Sequence, residues 1–460
     1  MASKKKSKGK KRSKAPRLVT IQPNVAGIDI GSEEHWVCGP PREDGQPNVR
    51  VFRTTTKRLE EMTEWLLELG VESVAMESTY VYWIPVYEML EEAGLEVVLV
   101  NARQMHNVPG RKTDMQDCQW IQCLHSCGLL RGSFRPTETI CRIRAMQRQV
   151  GNLVQERTRS VQWMQKSLDQ MNVQIHRAVS DLTGHTGMSI VRAIVKGERS
   201  PAQLATFRDP RCRKSEEQIA EYLVGNWREE HLFNLESALN LYDHLQEQIE
   251  RYEARIRDEL TALQPPDRKE LSAPAHPNPS KDRAMRYRGE QELRETLFRF
   301  AGVDLTRIDG ISSPAALTVL TEVGMDLCSF PTEKHFVSWL RLSPRTPISG
   351  GKPLVKKKNG TAATRVASTL RMASVSLQRS KSALGAYFRR VARRKGGAVA
   401  VFATARKLAV YIYRMLVYGQ DYVDIGAEAY EAQFEATRLA GLKNAARTLG
   451  YELVPAVATG

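Results

Sequence analysis

The sequence predicts an α/β amino-terminal domain, a helical middle region with a coiled coil, and a mostly helical carboxy-terminal domain. Three observations predict this order. Short apolar segments broken by turn residues fill the first hundred positions, a heptad-like seam runs from Ala238 to Leu263, and helical patterns occupy most of the remainder. A chain of 460 residues has ample material for two to four such domains.

The first domain is expected over residues 19–132. "VAGIDIGSEEHWVCG" predicts two strands joined by a turn, and "NVRVFRT" predicts a third. An amphipathic helix follows, with apolar residues at helical spacing: Leu59, Met62, Leu66 and Leu69. "ESVAMES" and "LEVVLVN" predict two more strands on either side of the helix "YWIPVYEMLEEAG", and a last helix carries "TDMQDC". Three strands followed by helix, strand, helix, strand and helix are typical of a ribonuclease-H type of α/β domain.

The middle region, residues 133–263, is predicted to be helical. Its seam has apolar residues three, four or seven apart: Ala238, Tyr242, Leu245, Ile249, Tyr252, Ile256 and Leu263. The partner of this seam is either another helix of the same chain or a helix of a second subunit, and the residues leave both open. Residues 264–292 are rich in proline and charge, which predicts a linker or an exposed insertion before a last domain at 293–460.

Charge is distributed unevenly along the chain, whose net charge is +16. Residues 1–17 carry nine basic side chains and no acid, which predicts a disordered basic tail over 1–18, whereas residues 18–130 hold eight basic side chains against seventeen acidic ones. From 335 to 420 there are eighteen Lys and Arg and no Asp or Glu. An ordinary soluble surface mixes both signs, so this stretch predicts binding to nucleic acid.

Several classes of protein are disfavoured. The seven cysteines are scattered, no apolar run reaches about 18 residues, and the basic start lacks the apolar core of a secretory signal. We therefore expect a reduced protein of the cytoplasm without a membrane span. Cys123 and Cys127 flank His125, but no second ligand pair follows at a suitable spacing, which favours core packing over zinc.

Four acids occupy positions where metal chemistry would be expected. Asp29 and Glu77 end predicted strands, and Asp114 and Asp117 are three positions apart on a predicted helix. Four converging carboxylates would repel one another unless cations neutralised them, and oxygen ligands favour Mg²⁺ or Mn²⁺. Two such ions could bind the attacking and leaving oxygens of a phosphodiester. Each acid taken singly is ambiguous, since a strand-ending Asp-x-Gly such as Asp29-Ile30-Gly31 is also common turn chemistry.

The motifs "GIDIG", "AMEST" and "GRKTDMQDC" resemble those of DEDD-type insertion-sequence transposases, whose first domain is similar to the Holliday-junction resolvase (RuvC-like) fold. The stretch from "RIDGISSPAALTVLTEVG" to "ARKLAVYIYRML" is similar to the second, transposase domain of that family. The resemblance implies an RNA-guided DNA recombinase whose bridge RNA pairs with both donor and target DNA. It assigns the acidic site to Asp29, Glu77, Asp114 and Asp117, and the nucleophile to Ser349.

The residues around Ser349 give only modest support apart from the resemblance. Gly350 and Gly351 leave the backbone open to a phosphate, although an ordinary Ser-Gly-Gly turn has the same sequence. Ser312, Ser313 and Ser343 are local competitors without following glycines. The side chains predicted to contact nucleic acid are Arg111, Lys112, Arg345, Lys352, Lys356, Lys357, Lys358, Arg365 and Arg371.

The sequence thus predicts a site-specific recombinase of the bacterial cytoplasm, associated with the nucleoid, that works as a homodimer assembling into a homotetramer. The main alternative is a metal-dependent nuclease or junction resolvase in which water attacks. A non-catalytic nucleic-acid scaffold is a further alternative. An actin-like kinase is disfavoured, because "GIDIGS" has no second glycine-rich phosphate motif downstream. The chain departs from the family in its length and in Cys118, where alanine is usual.

Overall fold

The computed structural model describes residues 19–78, 80–100, 114–343, 348–349, 352–353 and 364–454. The chain divides into two compact units, residues 1–135 and residues 136–460. No helix among the described residues is both long enough and apolar enough to cross a bilayer.

The first unit is built on a five-stranded sheet. Its strands are β1 (Val25–Ile30), β2 (Glu34–Gly39), β3 (Asn48–Arg53), β4 (Ser73–Glu77) and β5 (Glu96–Val100). The spatial order is β3-β2-β1-β4-β5, in which β1 to β3 pair antiparallel while β4 and β5 run parallel to β1. The helices are α1 (Thr56–Glu68), α2 (Trp83–Glu92) and α3 (Asp114–Ser126). The predicted α/β order of elements is confirmed.

Apolar residues pack against both faces of the sheet. One face, with α1 and α2, forms a core in which Ile28, Met62, Leu66, Met76 and Leu90 are fully buried. The apolar cluster on the other face is smaller. There Ile121 of α3 packs against Ala75 of β4 and Val100 of β5. Covering both faces explains why the parallel strands are nearly continuous apolar runs.

The second unit is helical and begins with a long antiparallel pair. Helix α4 (Glu138–Gln170) packs along α9 (Glu229–Ala262). Arg142 pairs with Glu259 at 3.3 Å near one end, and Arg157 hydrogen-bonds Gln246 further along, which fixes the antiparallel direction. Four residues of the predicted seam are buried: Ala238, Leu245, Ile249 and Ile256. The seam therefore has a helix of the same chain as its partner.

A small helical cap connects the two long helices. It consists of α5 (Ile175–Ala178), α6 (His185–Val195), α7 (Pro201–Ala205) and α8 (Glu216–Tyr222). The cap shares one apolar cluster with the adjoining ends of α4 and α9, including Leu168, Ile190, Leu223 and Leu235. The cap is thus fixed to that end of the pair.

The proline-rich segment after α9 is anchored at several points to the domain that follows it. The Ala273 amide donates to Glu295 at 2.7 Å, a ring nitrogen of His276 lies 3.1 Å from the Thr306 carbonyl oxygen, and Lys281 donates to the Ile308 carbonyl at 3.0 Å. Burial lowers the pKa of Lys281 to about 8. The segment includes α10 (Pro279–Tyr287) and leads into α11 (Gln291–Ala301).

The carboxy-terminal helices surround one central helix. The elements are α12 (Ser313–Val323), α13 (Glu333–Trp339), β6 (Ile348–Ser349), β7 (Lys352–Pro353), α14 (Arg365–Ser376), α15 (Ala383–Lys395), α16 (Gly397–Tyr418) and α17 (Gly426–Thr448). Helix α16 contacts α13, α14 and α15 and buries Leu408, Ile412 and Tyr413. The Tyr413 hydroxyl donates to the Phe330 carbonyl at 2.7 Å, which satisfies its buried polar end.

Candidate active site

Two of the predicted acids end neighbouring parallel strands of the first unit. The last residues paired between β1 and β4 are Ile28 and Met76, and the next residues along these strands are Asp29 and Glu77. Both side chains are half-buried. Because the strands are parallel neighbours, the two carboxylates lie at the same edge of the sheet, where polar chemistry collects in α/β folds.

Helix α3 crosses β1 at unusually short range. A Cβ atom at Gly27 would lie 2.3 Å from the Gln122 backbone nitrogen and 2.6 Å from the Cys118 carbonyl oxygen. Only glycine therefore permits this contact between helix and strand. The side-chain amide of Gln122 also donates to the Val25 carbonyl at 3.4 Å. Gly27 lies two residues before Asp29 on β1, so this contact holds α3 close to Asp29.

The electrostatics of Cys118 connect this helix to Asp29. Burial, followed by the nearby Cys38 and Asp29, raises the pKa of the Cys118 thiol to about 12. Asp117 is half-buried and immediately precedes Cys118, while Asp114 is the first residue of α3 and its side chain lies outside the described set. The structure thus brings Asp29, Glu77 and the first turns of α3 to the same part of the unit.

The donor chemistry of this region fits a hard divalent cation, because its acids offer only carboxylate oxygens. Among the described residues, however, no group of three or more His, Cys, Asp or Glu side chains is placed to hold a metal ion. Cys127 and His125 are buried, Cys123 is half-buried, and the His125 ring lies 2.9 Å from the Ser73 hydroxyl.

Ser349 belongs to the second unit. It ends β6, which pairs antiparallel with β7 through Ile348 opposite Pro353 and Ser349 opposite Lys352. The two residues between the strands are Gly350 and Gly351, a combination that suits two-residue hairpin loops. The structure describes the backbone of Ser349 and Lys352 and not their side chains.

Two of the predicted nucleic-acid contacts can be placed as side chains. Arg365 is partly exposed and lies 4.0 Å from Glu322, whereas the Arg371 guanidinium lies over the Phe402 ring at 5.3 Å. The remaining predicted contacts, apart from the backbone of Lys352, lie outside the described residues: Arg111, Lys112, Arg345, Lys356, Lys357 and Lys358.

Two features of the second unit were missed in the sequence. Glu322 is nearly buried and accepts two hydrogen bonds from Arg148, at 2.9 and 2.8 Å, with Arg144 at 3.8 Å. A groove along α16 is lined by aromatic and basic side chains, among them Phe402 and Arg406. The alternation of aromatic with basic residues between 387 and 414 was a usable signal, whereas the arginine cluster around Glu322 had none.

A sheet of this order with acids at adjacent strand ends, followed by a separate helical unit, is consistent with the class of DEDD-type transposases. Residues 26–173 match a DEDD transposase model of the IS110 type, described as a transposase, and residues 303–389 match the model described as "Transposase IS116/IS110/IS902 family". The chain belongs to the IS110 family of insertion-sequence transposases, and its activity is that of a DNA transposase or recombinase. No curated protein matches the chain.

Proposed function

We propose that this transposase is an RNA-guided, site-specific recombinase that joins DNA strands through a phosphoserine intermediate. The Ser349 oxygen forms a bond to phosphorus, and the bond from phosphorus to the 3′ oxygen breaks. The serine gives up its proton and the departing 3′ oxygen takes one up, so the number of phosphoester bonds is conserved. A 3′ hydroxyl of the new partner strand later reverses the step and releases Ser349.

The observation that carries the proposal is the placement of Asp29 and Glu77 at neighbouring strand ends, beside the helix that bears Asp114 and Asp117. These four carboxylates would hold Mg²⁺ or Mn²⁺. A divalent cation there supplies positive charge that offsets the charge of the reacting phosphate. Arg111 and Lys112 bind phosphate oxygens beside the acids, and Arg345, Lys352, Lys356, Lys357, Lys358, Arg365 and Arg371 position the strand near Ser349.

The partners in this proposal are donor DNA, target DNA and a bridge RNA. Exchange between two duplexes requires paired active sites, so a homodimer that assembles into a homotetramer is expected. Recombination on the chromosome places the protein in the bacterial cytoplasm, at the nucleoid. Sequencing the RNA that copurifies with the protein tests this part: a discrete RNA that matches both element ends and an insertion site is expected, and random cellular RNA would contradict RNA guidance.

The nucleophile is tested by trapping the covalent protein–DNA adduct on a labelled donor substrate. We expect Ser349→Ala to abolish the adduct while DNA binding persists. Ser338→Ala is the matched control, because Ser338 is an exposed serine of α13 without following glycines, and it should keep the adduct. An undiminished adduct in Ser349→Ala would reject Ser349 as the nucleophile.

A second candidate is a metal-dependent nuclease or junction resolvase that uses water. It is favoured by one observation: the acids belong to the first compact unit and Ser349 to the second. A site formed by the acids alone needs no serine. Wild-type protein that cuts DNA and leaves only free ends, with no adduct at any time point, would establish this alternative.

A further inference from the structure

The second unit contains a groove of about 830 Å³ between the end of α13 and helices α15 and α16. Its walls include Tyr387, Val399, Phe402, Arg406, Lys407 and Tyr411. Val399 and Phe402 are 44% and 45% exposed, which is high for large apolar side chains inside a concave surface. The groove therefore offers apolar and aromatic surface that the described part of the chain leaves accessible.

Cations alternate with these aromatic rings. The Lys407 ammonium lies 4.5 Å from the centre of the Tyr387 ring, and the Arg371 guanidinium lies 5.3 Å from that of Phe402. Arg414 also lines the groove, but its bidentate pair with Glu333, at 2.7 and 3.1 Å, offsets its charge. No acidic side chain is among the described lining residues. A ligand that is both flat and anionic matches such a surface, and nucleotides have that chemistry.

The size and form of the groove select an unpaired strand. A volume of this order holds a ligand of drug size, which corresponds to one or two nucleotides. The faces of paired bases are covered within a double helix, so an aromatic side chain reaches them only when the bases are unstacked. Duplex DNA can contact the cations at the rim but cannot place a base against Phe402.

The position of the groove along the chain indicates which strand it holds. Arg341, Leu342 and Ser343 line it, and Ser343 precedes Ser349 by six residues. Six residues span at most roughly 22 Å when fully extended. Ser349 is therefore within a few nucleotides of the groove, and the strand nearest Ser349 is the DNA strand that it attacks. This step rests on the proposed function.

We infer that the groove along α16 binds unpaired nucleotides of the DNA strand beside the scissile phosphate. A base stacks on Phe402, and the adjoining phosphates lie beside Arg406 and Lys407. Strand cutting and exchange must open the duplex near the cleavage site, and this groove holds the opened nucleotides.

The test is fluorescence anisotropy of the full-length protein with a labelled single-stranded oligonucleotide and with the matching duplex. We expect Phe402→Ala to weaken single-strand binding about tenfold or more while duplex binding is unchanged, because stacking requires an unpaired base. Phe402→Trp keeps a stacking surface and should retain the affinity. Phe233→Ala is the matched control, since Phe233 is a 69% exposed phenylalanine on α9 and lies outside the groove.

Three results would overturn the inference. They are unchanged single-strand affinity in Phe402→Ala, an equal loss for duplex, or a Phe402-dependent preference for an RNA oligonucleotide of the same sequence. Running the assay in the Ser349→Ala background separates this inference from the proposed function. If this background loses the adduct but keeps Phe402-dependent binding, the groove still binds unpaired nucleotides. If it keeps the adduct, only the assignment of Ser349 as the nucleophile is overturned.

Discussion

The guanidinium of Arg294 donates two hydrogen bonds to one carboxylate oxygen of Asp304, at 3.0 and 2.7 Å, and both side chains are 2% exposed. A third bond, of 2.5 Å, runs from Arg294 to the Pro274 carbonyl oxygen. One buried cation thus joins α11, the following turn and the proline-rich segment. Removing it leaves Asp304 as a buried charge with too few partners.

Arg294→Ala should therefore lower the free energy of unfolding of the second unit by about 3 to 5 kcal/mol. Urea denaturation followed by circular dichroism measures the change. Arg286→Ala is the control, because Arg286 is 70% exposed in its i,i+4 pair with Asp282 and should cost less than about 1 kcal/mol. Equal losses of stability in the two variants would show that the buried pair of Arg294 and Asp304 stabilises the fold no more than an exposed pair does.

His35 should make the first unit sensitive to acid. It is 1% exposed in β2, neither ring nitrogen has a hydrogen-bond partner among the described residues, and burial lowers its pKa to about 4. The unfolded chain takes up a proton near pH 6.5, whereas the folded chain does so only near pH 4. Stability is therefore full above pH 6.5 and falls by about 3 kcal/mol by pH 4.

Urea denaturation at intervals from pH 7 to pH 4 checks this dependence. His35→Gln should flatten the curve by about that amount, after its own constant cost is subtracted. A wild-type curve as flat as that of His35→Gln would contradict the assignment.

Gly27 controls how closely α3 approaches the sheet. In Gly27→Ala the added Cβ would meet backbone atoms of Gln122 and Cys118, which cannot rotate away. We expect a loss of about 3 kcal/mol of stability together with a drop in transposition, since the helix that carries Asp117 is displaced. Thermal melts and a plasmid transposition assay measure the two effects.

Gly132→Ala is the counterpart in the same unit. Its Cβ would meet only the Val98 side chain, at the ordinary contact distance of 3.7 Å. This variant should match the wild type within about 0.5 kcal/mol. If both alanine variants have the same stability and transposition activity, the close contact at Gly27 is not needed for either property.

Neutralising the acids should stop chemistry without unfolding the protein. Asp29→Asn removes a charge at a strand end and Asp117→Asn removes one on α3, and both preserve the shape of the side chain. We expect each to lower adduct formation by about a hundredfold. Adding Mn²⁺ in place of Mg²⁺ should restore part of the loss. Glu43→Gln alters an exposed acid of the same unit and should retain full activity. Full activity in Asp29→Asn would exclude this carboxylate from the site.

Local sequence patterns were sufficient to predict the first unit. The short apolar runs of β1 and β4 and the apolar spacing of α1 predict these elements, and Asp29 and Glu77 follow from where their strands end. His35 could not be foreseen as buried, because an alternating strand gives no reason for a polar side chain on its apolar face. The proximity of α3 to Asp29 depends on Gly27, whose role is visible only once the helix is in place.

The features that could not be predicted depend mostly on contacts between residues that are far apart in the sequence. The proline-rich segment has the composition of a linker, yet it is anchored because Arg294 and Glu295 lie in a helix that folds back onto it. The heptad seam was compatible with a second subunit, and the contacts between the two long helices, such as that of Arg142 with Glu259, identify α4 as its partner. In α16 the spacing of Val399, Phe402, Arg406 and Val410 already marks one helical face, although its exposure depends on the neighbouring helices.

The antiparallel pair of α4 and α9 also acts as a spacer of defined length. Helix α4 has 33 residues, so the pair extends about 50 Å and holds the cap that far from the opposite end, a distance comparable to roughly 15 base pairs of B-form DNA. Whatever the cap contacts is therefore set at a fixed offset from the carboxy-terminal helices. One extra heptad in each long helix would move the cap by roughly 10 Å with little rotation. The length of the two helices therefore sets the distance between the cap and the carboxy-terminal helices.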